Sequence, residues 1–253
     1  MIQLQLTLGL PGRYDPRKRP YGHTLRALFL RWVKAYDPGL AAWLHADAPY
    51  ALQAWRGRRQ TLRCGVTIFH EAVGNDLLPV VTAKAGTGVT LGGMNYQVQE
   101  VGVRRVLEDP GKLLVLPAAI KFELEFRTPT YFRALNKKSD VRLPVPVTVA
   151  TNLAHLWNQI SHGKAEIDVE GLREWVEENV TESSFTLETR AWAAGGQRRV
   201  IGIVGRCRYI ARPDPNWGKW LSILGAMAEY TNVGGGRTAG FGVVGFKLLE
   251  ASS

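Results

Sequence analysis

The segment IQLQLTLGL, residues 2–10, alternates apolar with polar side chains, which is the period-two pattern of a strand buried on one face. After a loop rich in proline and arginine (residues 11–20), apolar side chains recur at helical spacing from Leu25 to Tyr36, and Pro38-Gly39 closes this helix. The next elements are predicted as strand, strand, helix, strand and strand, over residues 50–56, 61–69, 71–84, 97–106 and 113–117. The predicted order is βαββαβ.

A second set of elements in the same order begins near residue 121. Phe122, Leu124 and Phe126 alternate with charged residues, as in a strand with one buried face. Helices are predicted over residues 150–160, 170–179 and 217–228, and strands over residues 184–192, 199–210 and 241–248. The sequence therefore predicts an α+β fold with two tandem ferredoxin-like (RRM-like) domains, residues 1–115 and 116–253. Element order alone supports this duplication.

Composition describes a globular chain with ordinary apolar content. Of 253 residues, 45% are hydrophobic and 21% are charged, which excludes disorder as the main state. No apolar run of about 18 residues occurs, and the first residues do not form the apolar block of a signal peptide. Cys64 and Cys207 lie far apart, so neither a disulfide framework nor a cysteine metal site is expected. We expect a cytoplasmic protein that is not bound to a membrane.

Positive charge is concentrated near the start of the chain. The net charge is +10, and residues 1–60 contain ten Lys or Arg against only three acids. A concentrated positive region attracts polyphosphate and releases its counterions on binding. Nucleic acid is therefore the leading partner class, ahead of an anionic membrane surface. Charge that only keeps the protein soluble is the alternative.

Six glycines are packed into the segment NVGGGRTAGFGVVG, residues 232–245. Its GxGxxG pattern does not open a helix within a βαβ unit, so we reject a dinucleotide-binding interpretation. Such a segment can expose backbone N–H groups to a phosphodiester or a base edge, with Arg237 as a charged clamp. The residues expected to contact RNA here are Gly234, Gly235, Gly236, Arg237, Thr238, Gly240 and Gly242. A flexible turn before an edge strand is the alternative.

Two of the five histidines are candidates for acid–base catalysis. Cleavage of RNA without a metal ion needs one group to take the 2'-OH proton and another to protonate the leaving 5'-oxygen. On a helical wheel, His23 shares an outward face with Arg26, Leu30 and Lys34. His45 ends a short apolar segment, and the negative end of a helix dipole favours the protonated ring that a general acid needs. The alternative for both is a solvated surface histidine.

The other histidines give no signal of a catalytic or metal site. His70, His155 and His162 lack comparable basic neighbours, and no HExxH or facial-triad spacing occurs. We expect neither a metal nor another cofactor.

A mixture of basic and aromatic residues follows the first strand of the second unit. Proteins that bind single-stranded RNA often combine such residues along a sheet or groove. The candidates for RNA contact in this stretch are Arg127, Tyr131, Arg133, Lys137 and Lys138. A strand end with a hydrophobic plug is an equal alternative.

Three of these segments together resemble the CRISPR-associated family of repeat-processing endoribonucleases, family six of the RAMP superfamily of glycine-loop RNA-binding proteins. The resemblance rests on YGHTLRALFLRWVKAYDPGLAAWLH (residues 21–45), FRTPTYF (126–132) and AEYTNVGGGRTAGFGVV (228–244). They occur in the family's order and span most of the chain. The glycine-rich segment alone is a superfamily signal, and the early Pro-x-Leu-x-x-x-Leu-His segment makes the match more specific.

The resemblance implies two ferredoxin-like domains and metal-independent cleavage of CRISPR precursor RNA within its repeats. The products would carry a 2',3'-cyclic phosphate and a 5'-hydroxyl. His45 matches the family's principal catalytic histidine, and residues 234–242 match its RNA-contacting loop. The resemblance also leaves open a homodimer and association with a CRISPR interference complex.

The chain departs from the family at two positions. Members often carry a tyrosine on the first helix where this chain places Leu30, and a lysine shortly after the histidine where it has Pro49-Tyr50-Ala51. We expect His23 to replace the tyrosine as acid or base, with Arg26 or Arg31 stabilising charge on the pentacoordinate phosphorane. The alternatives are an RNA-binding subunit that does not cleave and a DNA-binding protein, which would show no preference for the ribose hydroxyl.

Overall fold

The chain forms two compact units in a computed structural model that describes residues 1–9, 22–56, 61–105, 113, 115–133, 140–161, 165–193 and 199–252. Unit 1 consists of Met1–Glu108 and Arg237–Gly240, and unit 2 consists of Asp109–Gly236 and Phe241–Ser253. Four residues of the glycine-rich segment thus belong to unit 1, although they come late in the chain. The loop over residues 11–20, the turn over residues 57–60 and His162 lie outside the described residues.

Unit 1 is an antiparallel sheet with three helices. Its elements are β1 (Ile2–Gly9), α1 (His23–Tyr36), α2 (Pro38–Asp47), β2 (Tyr50–Arg56), β3 (Thr61–Ile68), α3 (Glu71–Thr82), β4 (Gly88–Leu91) and β5 (Met94–Arg105). The sheet has the strand order β2-β3-β1-β5-β4. Without β4, the first and third strands are central and the second and fourth flank them, which is the ferredoxin-like order.

The alternating pattern of β1 determines which face of the sheet is buried. Ile2, Leu4, Leu6 and Leu8 belong to one core cluster together with the apolar stripe of α1. Burying each such side chain contributes about 1.5–3 kcal/mol. Tyr36 is an exception to the predicted stripe, because it is the last residue of α1 and is 58% exposed.

Asp37 joins α1 to α2 without an intervening loop. Its amide donates to the Val33 oxygen at 2.7 Å, which ends α1. Its Oδ1 accepts from the Leu40 amide at 2.9 Å, which caps α2, and Pro38 takes the first helical position. Pro38 therefore begins a second helix directly after the first one ends.

Unit 2 repeats the topology of unit 1. Its elements are β6 (Ala119–Thr130), β7 (Phe132–Arg133), β8 (Asp140–Val141), α4 (Pro146–Ile160), α5 (Val169–Asn179), β9 (Val180–Ala193), β10 (Arg199–Ala211), α6 (Trp217–Thr231) and β11 (Val244–Ala251). The main sheet has the order β11-β6-β10-β9, and β7 pairs with β8. All pairs are antiparallel. The prediction of two ferredoxin-like units is confirmed.

Three elements differ from the sequence prediction: one predicted strand is absent from the described residues, one hairpin was missed and one strand begins later. Leu113 and Leu116 lie in a turn closed by a 3.1 Å backbone hydrogen bond, so the described part of residues 113–117 contains no strand. The β4–β5 hairpin was not predicted, although its turn residues Gly92 and Gly93 both have positive φ, as a tight hairpin requires. The last strand begins at Val244, because Gly240 and Gly242 hold left-handed conformations before it.

The cysteines and the helices show no sign of a metal site or a membrane span within the described ranges. Cys64 and Cys207 are buried free thiols, and burial raises the pKa of Cys64 to about 12. No group of three His, Cys, Asp or Glu side chains in these ranges could hold a metal ion. None of the helices there combines the length and apolar character needed to cross a bilayer.

Candidate active site

Helices α1 and α2 bring Arg26 to His45. The Arg26 Nη2 atom lies 3.1 Å from Nδ1 of the His45 ring and 3.5 Å from the His45 backbone oxygen. A guanidinium can only donate, so Nδ1 is the acceptor, and the neutral ring carries its proton on Nε2. His45 is exposed in the last turn of α2. The ring therefore offers Nε2–H as a hydrogen-bond donor.

His23 stands at the same end of the helix pair. It is the first residue of α1, and its side chain is half-buried. Arg26 follows three residues later, which is about 4.5 Å along the helix axis on the same side of the helix. His23 and the Arg26–His45 pair are therefore one helical turn apart. Leu30, which the wheel placed on this outward face, instead packs against the core.

The tip of the glycine-rich segment, residues 237–240, belongs to unit 1 and lies against the start of α1. Gly22, the residue before His23, has a φ of +46°, and a Cβ added there would overlap the backbone oxygen of Ala239. A Cβ added to Gly240 would lie 3.7 Å from the Gly22 Cα. The backbone of the tip is thus directly beside the backbone that leads into His23.

Gly22 is a residue of the site that sequence reasoning missed. Glycine is acceptable at the residue before a helix, so its presence there carries no special signal. Only the close approach of the Ala239 backbone shows why no side chain fits.

The polar groups of the tip come from Arg237 and Thr238, which begin a short 3-10 turn and are half-buried. Burial lowers the pKa of the Arg237 guanidinium, which still stays charged at neutral pH. Gly236 precedes the turn with a φ of +72°. Gly240 follows it with a φ of +75°, and its amide donates to the Arg237 oxygen at 3.2 Å.

Two other glycines of the segment are required by the backbone of unit 2. Gly234 has a φ of +77°, and an added Cβ would overlap the Tyr131 backbone oxygen. Gly242 has a φ of +71°, and an added Cβ would overlap the Val233 backbone oxygen. Each position combines a left-handed conformation with a close backbone approach, so only glycine fits.

Three glycine amides expected to face RNA donate hydrogen bonds inside the protein instead. The acceptors are the Asn152 side chain for Gly234 (2.8 Å), the Tyr131 oxygen for Gly235 (2.8 Å) and the Pro129 oxygen for Gly242 (3.2 Å). These bonds shape the segment. RNA contact through residues 234–242 stays a prediction, with the tip as the part that carries a charged side chain.

Tyr131 packs beneath this segment. Its side chain is 6% exposed, and its ring centroid lies 6.1 Å from that of Phe241 in an edge-on arrangement. A Cβ added to Gly235 would lie 2.6 Å from the ring. In this position the ring supports the glycine-rich segment, and a base could stack on it only if it left that packing.

The other residues predicted to contact RNA are either exposed on the surface or have side chains outside the described part. Arg31 is exposed on α1. Arg127 is exposed on β6, where its Nε donates to Glu125 at 3.1 Å. Arg133 is in β7, and its side chain is outside the described part. Lys137 and Lys138 lie outside the described residues.

Tyr50, which the sequence analysis named only as a departure from the family's lysine, is a neighbour of Arg26. It is fully buried at the start of β2, and its ring centroid lies 5.3 Å from that of Phe29. Burial raises the pKa of its hydroxyl, while the nearby Arg26 guanidinium acts in the opposite direction. An aromatic residue at the start of a strand is usually part of the core. The sequence pattern therefore did not indicate that Tyr50 is a neighbour of Arg26.

Solved structures of known proteins share this architecture. A product complex of Cas6 (TTHA0078) is 26% identical and has a TM-score of 0.79, covering 98% of this chain and 100% of that chain. The same protein with a substrate mimic gives 26% identity and a TM-score of 0.75, covering 98% and 100%. Thermus thermophilus Cas6 (TTHB231) shares the fold at 22% identity, with a TM-score of 0.75 and 97% and 98% coverage.

A family model agrees with these structural matches. The model described as CRISPR-associated endoribonuclease Cas6 matches residues 124–244, which include the glycine-rich segment. No curated protein matches the chain. Over residues 124–244 the chain matches the Cas6 family model, and over nearly its whole length it is similar to solved Cas6 structures, which together support a CRISPR repeat-processing protein of the Cas6 kind.

Proposed function

We propose that this protein cuts CRISPR precursor RNA within its repeats, without a metal ion, by attack of a ribose 2'-OH on the adjacent phosphate. The new bond joins the 2'-oxygen to phosphorus, and the bond from phosphorus to the 5'-oxygen breaks. The products carry a 2',3'-cyclic phosphate and a 5'-hydroxyl. One group must accept the 2'-OH proton, and another must give a proton to the 5'-oxygen.

The two histidines at the end of α1 and α2 assist these proton transfers in our proposal. His23 takes the 2'-OH proton. His45 offers Nε2–H, since Arg26 occupies its Nδ1, and this group donates a hydrogen bond that stabilises the negative charge on the leaving 5'-oxygen. Water supplies the proton that converts this oxygen to the 5'-hydroxyl. Proton transfer by a positioned side chain contributes about 10²–10⁴-fold in rate.

Cationic and polar residues would hold the RNA backbone. Arg237 and Thr238 at the tip of the glycine-rich segment are the candidates next to the histidines. Arg31, Arg127, Arg133, Lys137 and Lys138 would add contacts with phosphates, whose binding depends on counterion release. A second copy of the chain, a CRISPR interference complex and a cytoplasmic location stay predictions.

One observation carries the proposal. The tip of the glycine-rich segment lies on Gly22, the residue directly before His23, while Arg26 one turn later contacts His45. Segments that the resemblance connected to binding and to chemistry are therefore brought together in unit 1, although more than 190 residues separate them in sequence.

The test is incubation of the purified protein with labelled repeat RNA in EDTA. We expect one cut per repeat, a cyclic phosphate on the upstream product, and no cut when the nucleotide before the scissile phosphate is 2'-deoxy. Activity only after a divalent cation is added would contradict metal independence. Tight binding without product would favour the non-cleaving RNA-binding subunit, and equal binding of the corresponding DNA would favour a DNA-binding protein.

A further inference from the structure

The Arg26 guanidinium is bound to the catalytic candidate His45 at two atoms. Its Nη2 donates to Nδ1 of the ring at 3.1 Å and approaches the His45 backbone oxygen at 3.5 Å. A donor shared between the ring and the backbone of one residue constrains the rotation of that ring. It also excludes the tautomer with a proton on Nδ1, since two donors cannot face each other.

We infer that Arg26 is a positioning residue, which holds His45 with Nε2–H as its only donor, and not a group that stabilises the phosphorane directly. This inference rests on the proposed function and changes the role that the sequence analysis gave to Arg26. The two roles differ in what Arg26 touches. A positioning residue acts only through His45, whereas a group that stabilises the phosphorane would contribute even without the imidazole.

The surroundings of Arg26 keep its side chain in place. Arg26 is half-buried on α1, and its Nε is shielded from solvent. The buried hydroxyl of Tyr50 lies close enough for the guanidinium to affect its pKa. Phe29 packs against Tyr50 from the same helix. The inner edge of the guanidinium is thus buried, and Nη2 is the atom that contacts His45.

A double-mutant cycle distinguishes the two roles. Single-turnover cleavage of repeat RNA is measured for the wild type, Arg26→Met, His45→Ala and the double variant. Methionine keeps the apolar length of the side chain and removes every donor. Misplacement of a reacting group by about 1 Å costs about 100-fold, so we expect a loss of that order for Arg26→Met. RNA affinity should change less than threefold.

The double variant gives the decisive result. If Arg26 acts through His45, the double variant cleaves no more slowly than His45→Ala, because no ring remains to be positioned. If the double variant is slower by the product of the two single losses, Arg26 acts on the RNA itself and the inference is overturned. Arg26→Lys keeps a donor and a charge, and it should recover part of the rate lost in Arg26→Met.

A measurement on the protein without RNA tests the inference independently of cleavage. Nitrogen-15 NMR of the histidine side chains, at a pH where the rings are neutral, should show Nδ1 of His45 unprotonated and hydrogen-bonded. Arg26→Met should move this signal, and Arg173→Gln should not, because Arg173 is on α5 among Glu170 and Glu177. A wild-type ring protonated on Nδ1 would contradict the inference even if the protein cleaves. An inactive wild type with the expected signal would contradict only the proposed function.

Discussion

The α1–α2 corner, which consists of helices α1 and α2 with His23, Arg26 and His45, and the glycine-rich segment were both singled out from the sequence. They differ in what fixes the conformation of their residues. His45 is exposed, and the hydrogen-bonding side chain of Arg26 contacts its ring. Gly234 and Gly242 are buried, and left-handed backbone and close packing leave no room for a Cβ at either position. The comparison teaches that the His45 side chain can be removed from the corner without unfolding the chain. Replacing a glycine such as Gly234 or Gly242, in contrast, lowers the stability of the fold.

The largest effect should come from His45→Ala. We expect single-turnover cleavage to fall by about 10²–10⁴-fold. The free energy of unfolding should change by no more than about 0.5 kcal/mol, because the side chain is exposed. Cleavage assays and urea unfolding measure the two quantities. His155→Ala, at an exposed position of α4, is the control and should leave both unchanged. Loss of RNA affinity in place of rate would make His45 a contact residue.

Gly242→Ala, unlike His45→Ala, should affect mainly the stability of the fold. Strain at φ +71° and overlap with the Val233 oxygen should together lower the free energy of unfolding by about 3 kcal/mol. Gly86→Ala is the matched control, since Gly86 has a φ of +77° with nothing within 4 Å of an added Cβ. It should cost only about 1–2 kcal/mol. Equal losses in urea unfolding would show that the close approach at Gly242 does not matter.

Gly22→Ala should lower both the stability of the fold and the function of the site, because Gly22 touches the tip of the segment and precedes His23. We expect about 2 kcal/mol of lost stability from its positive φ and the displaced Ala239 backbone. RNA affinity should fall about tenfold, which corresponds to about 1.4 kcal/mol. Titration of uncleavable repeat RNA measures the affinity. An unchanged dissociation constant would exclude the tip from the RNA-binding surface.

The smallest effect is expected from Glu125→Gln, away from both regions. The hydrogen bond from Arg127 lowers the pKa of Glu125, with a further contribution from Arg206. A lowered pKa stabilises the fold above the ordinary value near 4.5, and this stabilisation disappears as the pH falls through the lowered value. For so exposed an ion pair we expect about 0.5 kcal/mol at neutral pH. Urea unfolding at a series of pH values should show the difference at pH 7 and its disappearance as the pH falls through the lowered pKa.

Hydrophobic periodicity predicted most of the fold. The alternation of residues 2–10 and the stripe from Leu25 to Val33 report burial directly, so the order of strands and helices follows from them. The β4–β5 hairpin was missed because its first strand has only four residues, too few to show a period. The Gly92-Gly93 pair was the signal that could have identified it.

The site was harder to predict, because it depends on contacts between distant residues. The helical wheel put His23 and Arg26 on one side of α1, but it could not show that Arg26 reaches His45 on another helix. Sequence reasoning interpreted the glycines as open backbone for RNA. The structure uses at least three of their amides internally and places only the tip beside His23. Close approach of two backbones leaves no periodic pattern in a sequence.

Asp37 ends one helix and caps the next, with a φ of −144° and a ψ of 106°. Because no loop separates the two helices, the position of His45 relative to Arg26 is fixed by this one residue. A residue inserted at this junction would turn every later position of α2 by about 100° if the helix kept its axis. Nδ1 would then no longer face the guanidinium. Homologues can therefore vary the side chains of this corner far more freely than its length, and a conserved spacing of 19 residues between arginine and histidine would mark those that share this device.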